Sequence, residues 1–243
     1  MNVGTQHAAS VDSMRQRCLG KNRLVKKSAA WAVFVREWRI EWRTRAALNA
    51  SVLFAVAAPI ALSFNLARQS LTPETLAGCL WSVLLFAALV GLSRAFVREE
   101  ESGTTSQLRL VCAPEAVLWG KAAFNFALLM ATQIAAVPIF VVLLGADVTQ
   151  PFLLLLILLL GDIGLALAGT LLGAIASQAR ARGALFPALA VPILLPLLVA
   201  ASSATAMTLG APGDVWNGLQ IIAIYDVLVA TAAWMLFGFV WSN

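Results

Sequence analysis

Long apolar stretches alternate with short polar breaks along most of this chain. Six stretches are long enough to cross a bilayer, which takes about 20 mostly apolar residues at about 1.5 Å of rise each. They cover approximately Ala46–Ala67, Leu76–Phe96, Leu118–Leu144, Phe152–Ser177, Ala184–Leu209 and Asn217–Trp241. Runs such as FLLLLILLL, beginning at Phe152, predict helices, because barrel strands would alternate over about ten residues. The pattern predicts an all-α polytopic membrane protein with six transmembrane helices. Short connections make one compact membrane domain and leave no room for a soluble catalytic domain.

Before the first span, Trp31, Phe34, Val35, Trp38 and Trp42 recur at helical spacing, with Arg36, Glu37, Arg39, Arg43 and Arg45 interleaved. This predicts an N-terminal interfacial amphipathic helix over 31–45, with Trp rings at the headgroups and guanidinium groups toward phosphates. It is either a simple lipid anchor or an elbow that orients the first span. Residues 1–30 read as a disordered basic extension, with a transit peptide as the alternative.

Composition agrees with the pattern. The 243 residues are 60% hydrophobic and 12% charged, with a mean hydropathy of +0.85. A disordered chain is excluded, and a soluble domain of this length is not expected. The net charge of +5 becomes meaningful once placed. Of the 17 Lys and Arg, all but Arg68 fall before the first span or around the second and fourth connections. That is a positive-inside signal with both termini cytoplasmic. The basic excess is thereby accounted for, and no nucleic-acid partner is expected.

Candidate chemistry is sparse. Asp162 and Asp226 lie inside spans, where an ionisable group is costly and is a functional hypothesis by default. Asp226 follows Tyr225, and the two could share a polar pocket. Pro187, Pro192 and Pro196 should kink the fifth span, and Pro192 and Pro196 are candidates for lining a pathway. Gly161, Gly164, Gly169 and Gly173 suit close helix packing. Cys18, Cys79 and Cys112 have no CxxC spacing, His7 is the only histidine, and no metal site is expected. There is no Walker A motif: Gly120–Lys121 has Glu115 and Ala122 at the flanking positions. Any ATP would be bound by another chain.

The loop after the second span, FVREEESGTTSQLRLVCAPEAVLWGK from Phe96 to Lys121, is the most specific segment. Glu99, Glu100 and Glu101 form an acidic cluster on an otherwise basic face. Gly103 breaks the chain, Leu108 and Leu110 give a short apolar stripe, and Pro114 ends it. Such a segment suits docking into a basic groove on a partner. It resembles the acidic-Gly-Thr-Leu-Pro-Lys pattern of ABC-2-type permeases and, more narrowly, is similar to the CcmB (haem exporter protein B) family, whose pattern is Phe, an acidic pair, Gly, two Leu, Pro and Lys. Phe96, Glu100, Gly103, Leu108, Leu110, Pro114 and Lys121 match that pattern. The stretch RARGALFPALAVPILLPLLVAA, from Arg180 to Ala201, resembles the same family's arginine pair and Leu-rich helix with Pro192 and Pro196.

The resemblance covers about residues 32–243. It implies the permease subunit of an ABC-type complex in cytochrome c maturation, in the bacterial inner membrane, with no catalytic residue of its own. The implied partners are a CcmA-type ATPase that binds ATP, CcmC, CcmD, the haem chaperone CcmE and a second copy of the permease. Segment 97–116 would be the cytoplasmic coupling segment of a permease domain over 46–243. The spans contain no histidine and offer only Cys79, Met130, Met207, Met235 and Tyr225 as axial haem ligands. An energy-coupling role, with haem held by partners, is therefore expected. The alternatives are an ABC-2 exporter of another amphipathic substrate and an ion-coupled carrier using Asp162 and Asp226.

Overall fold

A computed structural model describes residues 29–66, 71–101, 113–176 and 182–242. The described residues form seven helices and no strand. Helix α1 covers residues 29–44, α2 Ala46–Leu66, α3 Pro73–Glu101, α4 Pro114–Leu144, α5 Pro151–Ala176, α6 Arg182–Thr208 and α7 Val215–Ser242. Six of them, α2 to α7, are long and apolar enough to cross a membrane.

The helix starts are written locally. Pro73, Pro114 and Pro151 each open a helix, where a missing N–H costs nothing and the fixed φ already suits the first turn. Thr72 Oγ1 accepts the Thr75 N–H at 3.3 Å, and Asp214 Oδ1 accepts the Trp216 N–H at 3.0 Å, capping α3 and α7. Helix α2 is started differently. Arg45 adopts a left-handed backbone (φ 51°) that breaks α1 from α2, and Glu41 Oε1 accepts the N–H groups of Ala47 and Leu48, both at 2.9 Å.

Helix α5 is the spine of the bundle, touching α3, α4, α6 and α7, while α2 packs on α3 and α4. Trp81, Phe140, Ile157, Leu165, Leu197 and Ile222 are fully buried around it. A smaller cluster of Val117, Leu118, Leu171, Ala233 and Phe237 closes the bundle at the opposite end of α5. Between apolar helices in lipid, close packing and interhelical hydrogen bonds replace the hydrophobic driving force. Glycines supply the first: a Cβ on Gly161 would run into the Trp81 ring, and one on Gly169 would lie 2.6 Å from Leu92. The sequence expectation of a packing role for these positions holds. Hydroxyls and amides supply the second. Ser51 Oγ donates to the Ala87 carbonyl at 2.8 Å and lies 3.1 Å from Thr132 Oγ1, and Asn125 Nδ2 donates to Thr170 Oγ1 at 2.8 Å.

The outer surface is apolar. Leu53, Phe64, Ile134, Phe152, Ile224, Leu228 and Trp234 are exposed, and α2 and α7 keep most of their span outside the core. A surface of this kind needs lipid or another apolar chain against it.

Candidate functional site

Between the first half of α3 and the second half of α6, at the end remote from α1, lies a cleft of about 510 Å³. Glu74, Ser82, Ser202, Ser203 and Met207 line it, with Trp81 in its wall. Trp81 is held rigidly: its Nε1 donates to Thr205 Oγ1 at 2.9 Å, and Gly161 gives its ring room. A carboxylate and several hydroxyls on an otherwise apolar wall can take an amphipathic group. No cluster of His, Cys, Asp or Glu among the described residues could hold a metal ion.

The two intramembrane acids are both buried, at different contacts. Gln133 Nε2 on α4 donates to Asp162 Oδ1 on α5 at 2.7 Å, while Oδ2 has no hydrogen-bond partner. Asp226 on α7 faces α5 and α6 where Gly164 leaves room: a Cβ there would lie 2.6 Å from Asp226 Oδ1 and 2.8 Å from Leu197. Asp226 Oδ1 also lacks a partner. The Tyr225 hydroxyl, expected to share a polar pocket with Asp226, makes its hydrogen bond elsewhere. Consecutive residues on a helix point about 100° apart, and the Tyr225 hydroxyl instead donates to the Ile193 carbonyl on α6 at 3.0 Å. Ile193 lies in the turn where Pro196 removes a backbone donor. Pro192 and Pro196 themselves face outward from this chain.

Toward the side of α1, the expected coupling segment is divided by structure. Helix α3 runs on past its apolar span, so the backbone of Glu99, Glu100 and Glu101 forms its last turn. Pro114 is the first residue of α4, after extended Ala113. Gly103, Leu108 and Leu110 lie outside the described residues.

The elbow is helical, as expected, with a protein-facing side that the spacing did not reveal. Trp31, Trp38 and Trp42 are exposed and form a ladder with Phe34, with centroids 5.1, 6.0 and 6.2 Å apart along it. Arg39 and Arg43 are exposed beside them. The opposite face buries Val33, Glu37 and Glu41. Helix α1 fits against α4 at Gly120, where a Cβ would lie 2.7 Å from both the Ala30 carbonyl and Val33. Of residues 1–30, expected as a disordered extension, 1–28 lie outside the described residues, and 29 and 30 already belong to α1.

Glu41, Gln133, Thr205 and the α3–α6 serines were missed by sequence reading. Each looks like an isolated polar residue in its own segment, and only the partner helix gives it a role.

The profile of the family described as CcmB protein matches residues 28–240, covering α2 to α6 and nearly all of α7. Heme exporter protein B of Bradyrhizobium diazoefficiens is 30% identical over 223 residues, covering 85% of this chain and 96% of the relative. Heme exporter protein B of Rhodobacter capsulatus is 28% identical over 170 residues, covering 69% of this chain and 78% of the relative. With a match that takes in all six membrane helices, the chain belongs to the CcmB protein family.

Proposed function

We propose that this chain is the membrane permease subunit of an ABC-type complex in cytochrome c biogenesis, seated in the bacterial inner membrane. It couples ATP hydrolysis on a CcmA-type subunit to haem delivery and the release of the haem-loaded chaperone CcmE. The observation that carries this is the CcmB protein family match across all six membrane helices, joined by 30% identity to a Heme exporter protein B over 85% of the chain, in a chain with no nucleotide-binding motif. Six spans make half a transporter, so two copies pair with two ATPase subunits, alongside CcmC and CcmD. ATPase closure would reach the spans as a rigid-body shift. The coupling region is the end of α3 with Glu99–Glu101, the segment through Gly103, Leu108 and Leu110, and the start of α4 at Pro114. The extension of α3 beyond its apolar span supports this, since it carries the acidic cluster out to where a partner can grip it. The positive-inside distribution puts that end in the cytoplasm. Haem stays with partner proteins, because the spans hold no histidine.

Purification in mild detergent tests the assignment. An ATPase chain and haem-handling subunits are expected to co-purify. Isolation of the permease without any ATPase, from cells in which it is active, overturns the assignment.

The partnerless oxygens of Asp162 and Asp226 favour one second reading, an ion-coupled carrier. Transport that persists in Asp226→Asn with ATP present, and stops when the ATPase subunit is removed, eliminates it.

A further inference from the structure

A pocket of about 260 Å³ opens at the elbow, bounded by α1, the first turn of α2 and the middle of α4. Its lining is mostly apolar, with Phe124, Leu128 and Ala131 in it, and Arg45 and Asn49 are among the polar residues that border it. The Arg45 guanidinium carbon stands 5.3 Å from the centroid of the exposed Trp42 ring. Glu41 also borders the pocket, but two backbone N–H groups occupy its Oε1.

Depth along α4 places this pocket at the edge of the hydrocarbon core. Counting back from Leu144, Phe124 is about 30 Å away and Ala131 about 20 Å. The core is about 30 Å thick, so Phe124 sits at the headgroup boundary and Ala131 among the acyl chains. The pocket therefore joins a guanidinium and an amide at headgroup level to an apolar floor running inward. Arg39 and Arg43 on the neighbouring exposed face add positive potential.

We propose that this pocket binds one anionic phospholipid from the leaflet on the α1 side. Its phosphate meets the Arg45 guanidinium and the Asn49 amide, and the first part of an acyl chain lies on Phe124, Leu128 and Ala131. Charge selects this occupant over the preceding chain segment: residues 1–28 carry Arg15, Arg17, Lys21, Arg23, Lys26 and Lys27 against the single acid Asp12, and would repel the arginines. An anionic headgroup is also favoured over a zwitterionic one, which brings its own cation beside Arg45 and near Arg39 and Arg43.

Native mass spectrometry of the full-length protein in mild detergent tests this, with phosphatidylglycerol or phosphatidylcholine added. One phosphatidylglycerol is expected to be retained about tenfold more tightly than phosphatidylcholine, the scale of one charge-assisted contact. Arg45→Asn removes that preference while suiting the left-handed backbone at this position. Arg45→Lys keeps most of it. Ala131→Phe fills the acyl end, leaves Arg45 in place and weakens retention of both lipids several-fold. The proposal is overturned by equal retention of the two lipids, by a preference that survives Arg45→Asn, or by unchanged retention in Ala131→Phe. A preference that emerges only after deletion of residues 1–28 also overturns it, since the tail would then be the occupant.

Discussion

Glu41 in the elbow and Asp162 in the bundle are 6% and 1% exposed, yet their surroundings differ in kind. One oxygen of Glu41 accepts two backbone N–H groups at the start of α2. These are donors that every helix start leaves over, so the carboxylate completes the fold. Asp162 has one donor, from Gln133, and an oxygen with no partner. Asp226 shares that deficit. A buried acid that finishes a helix has a structural reason to be there. A buried acid left half-satisfied in a membrane protein has no such structural reason, and an ionisable group at that depth is a functional candidate.

Substitutions can break or sharpen that contrast. Glu41→Ala has the largest expected effect, a loss of about 2 kcal/mol from two uncapped backbone donors. It should register as a lowered melting temperature in detergent. Gly164→Ala drives a methyl group into Asp226 and Leu197, both held between helices, and should cost about 1–2 kcal/mol in the same assay. Asp162→Asn keeps an acceptor for Gln133 and removes the ionisable group, so its stability should stay within about 1 kcal/mol of the parent. A loss greater than that of Glu41→Ala would reverse the contrast and make Asp162 the structural acid. Tyr225→Phe deletes one hydroxyl-to-carbonyl bond and should cost about 0.6 kcal/mol, the average for interhelical bonds in membranes.

Much of the bundle was legible because a membrane span is a one-dimensional signal. The expected spans begin within four residues of the observed helices, and the discrepancies have a cause. Hydropathy detects only the apolar part of a helix, whereas α4 starts at Pro114 and includes Glu115 before the mostly apolar stretch from Leu118. Likewise α3 continues through Arg98 to Glu101 after its apolar stretch ends. The elbow was legible as an amphipathic helix, but its inner face was not. Glu41 meets Ala47 and Leu48 only because Arg45 turns left-handed, a conformation usually signalled by Gly or Asn and unmarked here. The α3–α6 cleft was hidden for a similar reason. Ser82 and Ser202 lie in different apolar runs, and serines in spans commonly bond their own helix, as Ser82 does with the Gly78 carbonyl at 2.8 Å.

Coupling to a separate ATPase is the claim on which the proposed function turns, and replacing Glu99, Glu100 and Glu101 together with alanine tests it most directly. ATP hydrolysis by the purified complex and cytochrome c maturation in cells are measured side by side, with the permease quantified in the membrane. The account predicts normal amounts of permease, ATP hydrolysis that no longer supports maturation, and a loss of mature cytochrome c of at least about tenfold, the effect of removing one charge-assisted contact. Unchanged maturation with all three acids gone would contradict it.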